Sequence, residues 1–71
     1  MKNSVEQLRK ELGLNQEAFA KAIGVSRQTV SAIETGKYNP SLDLAFVLSE
    51  FFGKSIEDIF VYERSGENEK K

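Results

Sequence analysis

Cysteine and histidine are both missing from the 71 residues. Disulfides and thiolate metal sites are thereby excluded, and the commonest metal ligand and general base are absent too. No run approaches the ~20 apolar residues that span a bilayer. The start, Met1-Lys2-Asn3-Ser4-Val5-Glu6, lacks the apolar stretch of a secretion signal. The carboxylates are scattered over faces expected to be exposed rather than paired in an apolar pocket, which argues against an enzyme. The expectation is a cytoplasmic protein without cofactor, metal, membrane association or evident small-molecule ligand.

A chain of this length makes one domain and buries only a modest core, roughly 60 % of the surface its unfolded form exposes. Without disulfides it depends on helix packing, often helped by a partner subunit. The net charge of −1 argues at first sight against a polyanion partner, since phosphates are neutralised by Lys and Arg. The distribution is more telling. Residues 1 to 40 carry six basic and four acidic side chains, a balance of +2, whereas residues 41 to 71 carry four and seven, a balance of −3. Only the N-terminal half is suited to face a polyanion.

Capping signals and helical periodicity divide the chain into five helices. Ser4 and Gln7 read as a capping box, Val5, Leu8 and Leu12 recur at helical spacing, and Gly13 ends a helix over residues 4 to 12. Asn15 caps a second helix, about two turns long, with Phe19, Ala20 and Ile23 facing inward until Gly24 stops it. Ser26 caps a third, with Val30 and Ile33 buried and Gly36 just past its end. Tyr38, Asn39 and Pro40 mark a loop. Ser41 caps a fourth helix that runs to Phe52 and stops at Gly53, and Ser55 with Asp58 starts a short fifth that ends near Phe60. Residues 60 to 64 are rich in strand formers and read as an extended arm or a strand with no visible partner. Residues 1 to 64 form the domain, and residues 65 to 71, all small or charged, are expected to be a disordered tail.

The second and third helices, joined by about three residues, have the spacing of a helix-turn-helix, whose second helix projects its first side chains into the DNA major groove. Ala20 is small where the helices nearly touch, and Gly24 suits a left-handed turn. Phe19, Ile23, Val25, Val30 and Ile33 are the apolar residues that lock the pair. Each feature alone is common in helical proteins; the joint spacing is much rarer.

The segment Asn15-Gln16-Glu17-Ala18-Phe19-Ala20-Lys21-Ala22-Ile23-Gly24-Val25-Ser26-Arg27-Gln28-Thr29-Val30-Ser31-Ala32-Ile33-Glu34-Thr35-Gly36 resembles the phage-repressor and Cro-like family, also called the XRE family. The resemblance runs over residues 5 to 60 and continues through Lys37-Tyr38-Asn39-Pro40-Ser41-Leu42. It implies an all-α, five-helix lambda-repressor-like domain that binds double-stranded DNA as a transcriptional regulator. By this resemblance Arg27 and Gln28 read bases, with Ser26, Ser31 and Ala32 alongside. The chemistry agrees, because Arg pairs bidentately with guanine and Gln with adenine. Asn15 and Gln16 are implied to hold a phosphate, Lys37, Tyr38 and Asn39 to clamp the backbone, and Thr29 to donate to phosphate or to pack. Glu34 would repel phosphate if exposed; by resemblance it pairs with Arg9 inside the fold. Taken singly, Arg27, Gln28, Gln16 and Lys37 also read as ordinary surface residues, and Tyr38 as a loop tyrosine packed on its own backbone.

In the fourth helix Ala45, Leu48 and Phe52 share one face and are expected in the core. Leu44, Val47 and Phe51 make a second apolar stripe, which Phe60, Val61 and Tyr62 extend. An added apolar stripe on a small domain marks a partner surface, so a homodimer is expected; the alternative is that the C-terminal arm folds back over the stripe. A dimer also doubles the phosphate contacts and reads two half-sites of a palindrome. The reading is therefore a repressor acting as a homodimer on a palindromic operator. Against it stands a protein-interaction module of the same fold, an antitoxin or antirepressor.

Overall fold

Four of the helices begin where a side-chain oxygen receives a main-chain N–H. In the computed structural model, which describes residues 1 to 62, Asn15 Oδ1 accepts from the Ala18 N–H at 2.8 Å. The hydroxyls of Ser26, Ser41 and Ser55 accept from the N–H groups of Thr29, Leu44 and Asp58 at 3.1, 3.2 and 3.1 Å. Each bond satisfies a donor that the first helical turn leaves orphaned. The element order is β1 (Lys2–Asn3), α1 (Val5–Glu11), α2 (Gln16–Ile23), α3 (Arg27–Glu34), α4 (Leu42–Phe52), α5 (Ile56–Ile59) and β2 (Phe60–Val61). The expected tail, residues 65 to 71, and the end of the expected arm, Glu63 and Arg64, lie outside the described residues.

α1 starts differently. The Ser4–Gln7 capping box does not form, because Ser4 sits at φ −107° and ψ 18° and makes no side-chain cap, whereas the other four caps are extended. Asn3 takes over: its Oδ1 accepts from the Val5 N–H at 3.0 Å. The Ser4 N–H is given instead to the Ile59 carbonyl at 2.8 Å.

That bond belongs to a small sheet. β1 pairs antiparallel with β2, with Lys2 opposite Val61 and Asn3 opposite Phe60. The partner missing from the C-terminal strand is thus the first few residues of the chain. Asn3 Nδ2 also donates to the Ile33 carbonyl at 2.9 Å, which fastens β1 to the end of α3. Met1 lies so close there that a Cβ on Gly36, at φ +79°, would sit 3.4 Å from the Met1 carbonyl oxygen.

Val5, Phe19, Val30, Ile33, Leu48 and Ile59 are fully buried, each contributing ~1.5 to 3 kcal/mol of burial. They come from every helix, so no helix stands outside the core. The Phe19 ring is flanked by Phe51 and Phe52, with centroids 5.5 and 5.4 Å away. Leu12, expected on the inner face of α1, is exposed. The helix stops at Glu11, Arg9 occupies the buried face at that end, and Leu14 turns in after Gly13.

The reading of α4 needs a larger correction. At about 100° per residue, Leu44, Ala45, Leu48, Phe51 and Phe52 all fall within about 60° of Leu48 and form one broad arc rather than two stripes. Leu44 is accordingly buried in the core, and Phe51 packs partly buried against it. Phe60, expected to extend an outer stripe, is also a core residue. The exposed apolar side chains of α4 are Leu42 and Phe46, on the opposite side, with Val47 at the margin. Among the described residues no helix is long and apolar enough to cross a membrane.

Candidate nucleic-acid interface

Between Ile23 and Arg27 the chain reverses in three residues. Gly24 adopts φ +80°, a left-handed conformation that costs a residue with a Cβ roughly 1 to 2 kcal/mol. The N–H groups of Gly24 and Val25 both donate to the Ala20 carbonyl, at 2.9 and 3.0 Å. Ala20 is itself buried at this crossing. With Val30 and Ile33 directed into the core, the opposite face of α3 is left to Arg27, Gln28, Ser31, Ala32 and, past the last turn, Thr35.

That face forms the wall of a cleft lined by Gln16, Arg27, Gln28, Ser31, Ala32, Thr35 and Lys37. The start of α2, the outer face of α3 and the following loop therefore converge on one concave, mainly polar surface. Among the described residues the side chains of Arg27, Gln28 and Lys37 have no hydrogen-bond or ion-pair partner, so a guanidinium, an amide and an ammonium group are presented together. A second hollow beside it is lined by Arg9, Asn15, Gln16, Glu17 and Arg27.

The other candidate residues are placed less uniformly. Asn15 and Ser26 use their side-chain oxygens to cap α2 and α3, and Ser26 Oγ lies 2.9 Å from Thr29 Oγ1. These oxygens are engaged within their own helices. Tyr38 is exposed, but neither it nor Asn39 lines the cleft; Asn39 borders a separate groove with Met1, Pro40, Leu42, Ala45, Ile56 and Phe60. Of the expected partner stripe, Val47, Val61 and Tyr62 are exposed, whereas Leu44 and Phe60 are not.

Behind the cleft, Glu34 is turned inward. Its carboxylate accepts from Arg9 Nε at 2.7 Å, from Arg9 Nη2 at 3.2 Å and from Gln16 Nε2 at 3.0 Å. Arg9 Nη1 donates to the Leu14 carbonyl at 2.8 Å. The side chains of Arg9 and Glu34 are only 7 % and 3 % exposed. The hydrogen bond to Glu34 raises the Arg9 pKa above its ordinary value against the opposing effect of burial, and the charges of Glu34 and Glu6 add to the rise. Electrostatically, the pair withdraws the only carboxylate of α3 from the cleft, which leaves Arg27 and Lys37 as its charges.

Two features escaped the sequence reading. Thr35 lines the cleft, and Leu42 and Phe46 form the exposed apolar pair of α4. The i, i+4 spacing of that pair, opposite Leu48, was the available signal. No group of acidic, histidine or cysteine side chains among the described residues is placed to hold a metal ion.

Residues 5 to 59 match the model of the helix-turn-helix family. The chain is 59 % identical over 63 residues to an uncharacterized HTH-type transcriptional regulator of Methanocaldococcus jannaschii, covering 89 % of this chain and 96 % of the relative. It is 48 % identical over 60 residues to YgzD, an uncharacterized HTH-type transcriptional regulator of Bacillus subtilis, covering 84 % and 91 %. It is 37 % identical over 57 residues to the cryptic phage CTXphi transcriptional repressor RstR of Vibrio cholerae, covering 80 % of this chain and about half, 51 %, of that protein.

Proposed function

Because this chain belongs to the helix-turn-helix family, we propose that it is a DNA-binding transcriptional regulator that reads a palindromic operator as a homodimer and represses by occluding a promoter. The observation that carries the proposal is the cleft itself, where Arg27 and Gln28 stand in the first turn of α3 with side-chain donors that no other described residue engages. Arg recognises guanine through O6 and N7, and Gln recognises adenine through N6 and N7. Ser26 and Ser31 flank them as weaker base contacts. Gln16 and Lys37, on the two rims, are suited to phosphates, with Asn15, Thr29, Tyr38 and Asn39 as outer backbone contacts. Gln16 has a further merit: one N–H of its amide is held by Glu34, which fixes the side chain while leaving the other N–H to donate.

A single domain with a net charge of −1 is a weak polyanion binder. Two copies related by a two-fold axis, with recognition helices about 34 to 36 Å apart, double the phosphate contacts. Leu42, Phe46 and Val47, with Met1, Val61 and Tyr62 also exposed, supply the apolar surface for that second copy. The same surface favours the competing reading, a protein-interaction module, if DNA is not the partner.

Selection of binding sites from random duplex DNA tests the proposal. Enrichment of a two-fold symmetric site is the expected result. Failure of well-folded protein to enrich any sequence would transfer the function to the apolar face.

A further inference from the structure

Each main-chain donor from Thr35 to Tyr38 is directed back into α3. Gly36, left-handed at φ +79°, gives its N–H to the Ile33 carbonyl at 3.0 Å, and the N–H groups of Lys37 and Tyr38 go to the Ala32 carbonyl at 2.9 and 3.2 Å. This closure of the helix end fixes the main chain of Lys37 against the last turn of α3. Lys37 therefore stands on the rim of the cleft by virtue of where that turn sits.

From outside α3, Asn3 holds the turn. Its Nδ2 donates to the Ile33 carbonyl at 2.9 Å, the same oxygen that receives the Gly36 N–H, and lies 3.4 Å from the Met1 carbonyl. Asn3 is itself fixed from the other end of the chain. It faces Phe60 across the β1–β2 pair, and the next residue, Ser4, gives its N–H to the Ile59 carbonyl at 2.8 Å. Ile59 and Phe60 are buried, so the anchor is part of the core. Met1, Lys2, Asn3, Glu34, Thr35 and Gly36 line a hollow that shares Thr35 with the cleft.

A phosphate contact made by a loose loop loses conformational freedom on binding, whereas a rim already held by tertiary bonds has lost it on folding. On the reading that the cleft receives DNA, we infer that Asn3 is a positioning residue: through the Ile33 carbonyl it presets the end of α3 so that Lys37 meets a phosphate. Residues 1 to 4 are then a strap from the buried C-terminal strand to the rim of the cleft. The contact belongs to Lys37 and its geometry to Asn3, which acts without touching DNA.

The test uses the full chain, with the duplex recovered by site selection for the binding measurements. Asn3→Ser keeps an oxygen to cap α1, has no amide N–H to reach Ile33, and changes no charge. Ser55→Ala, which removes the cap of α5 and lies outside both hollows, controls for stability lost elsewhere. In the free protein, the Lys37 and Tyr38 amides should exchange with solvent faster in Asn3→Ser than in Ser55→Ala, by on the order of fivefold, the weight of one hydrogen bond. On DNA, the slope of log K against log salt should fall in Asn3→Ser by roughly 1, as for a lost phosphate contact, although no charge has been removed. Ser55→Ala should leave the slope unchanged. Asn3→Ser combined with Lys37→Ala should bind as Lys37→Ala does alone. If Asn3→Ser does not fold, Asn3→Asp, which keeps the cap oxygen, takes its place in the exchange measurement and in the combination with Lys37→Ala. An unchanged slope, additive costs or unchanged exchange at Lys37 and Tyr38 each overturn the inference while leaving DNA binding intact. Failure to recover any selected duplex is the failure of the DNA-binding reading itself, and the role of Asn3 falls with it.

Discussion

Arg9 grips Glu34 from behind α3, with its Nε 2.7 Å and its Nη2 3.2 Å from the two carboxylate oxygens. The pair joins α1 to the last turn of α3 and, through Gln16, to the start of α2. It ties the three helices together and keeps the Glu34 carboxylate buried, away from the cleft.

Removing one partner leaves the other buried without compensation. Arg9→Ala or Glu34→Ala is expected to cost ~3 to 5 kcal/mol, a large share of the total stability of so small a domain. Urea titration followed by circular dichroism measures it, and a loss under ~1 kcal/mol would contradict the structural role assigned to the pair. The pH dependence has a definite sign. Because the hydrogen bond to Glu34 raises the folded-state pKa of Arg9 above the ordinary arginine value, its contribution is complete below that ordinary value and is lost only as pH rises through the still higher folded one. Titration of Arg9 therefore makes no change in stability between pH 7 and 10.

Asn3 ties the N-terminal strand to both α1 and α3. It caps α1 through its oxygen and holds the Ile33 carbonyl through its nitrogen, with a longer bond of 3.4 Å to the Met1 carbonyl, so Asn3→Ala removes all three. A loss of roughly 1 to 3 kcal/mol is expected, measured by the same titration. Asn3→Asp keeps the cap and loses the donor, and should fall between the two.

Lys37 stands on the rim of the cleft without a partner among the described residues. Lys37→Ala should weaken binding about equally for all sequences and reduce the slope of log K against log salt by roughly 1. A change in preferred sequence would move Lys37 from the phosphates to the bases.

Leu42→Glu combined with Phe46→Glu should convert a dimer to a monomer in sedimentation velocity and leave the helical content unchanged, since both side chains are exposed. An unchanged mass would remove this face from the proposed interface. Phe51→Glu is the contrasting case. Its ring packs edge-on against Phe19 at 5.5 Å, so it should unfold the domain rather than dissociate it.

The parts of this fold that were legible in the sequence are those governed by near neighbours. Asn15, Ser26, Ser41 and Ser55 cap their helices because the acceptor and the N–H it takes are three residues apart. Ser4 failed by the same rule, because a contact from Ile59 at the far end of the chain claims its N–H and Asn3 supplies the cap. The pairing of β1 with β2 was invisible, since Lys2 and Asn3 have no strand-like composition and find their partners nearly sixty positions away. In α4 the apolar residues are plain in the sequence, but the buried arc is wider than one stripe because Leu44 and Phe51 also pack inward. The spacing of α3 points to Arg27 and Gln28, whereas the place of Thr35 in the cleft depends on how the chain leaves the helix, which spacing does not encode.

The most direct test of the central claim is a comparison of wild-type protein and Arg27→Ala on the operator found by selection, with melting temperatures measured in parallel. Arg27 is exposed and has no side-chain partner among the described residues, so the melting temperature should hold and the stability should change by no more than the ~0.5 kcal/mol typical of surface substitutions. Affinity for the selected site should fall by ~1 to 3 kcal/mol, and repeated selection should return a motif with one guanine relaxed in each half-site. Equal affinity and an unchanged motif for the two proteins would contradict the reading of α3 as the element that recognises DNA.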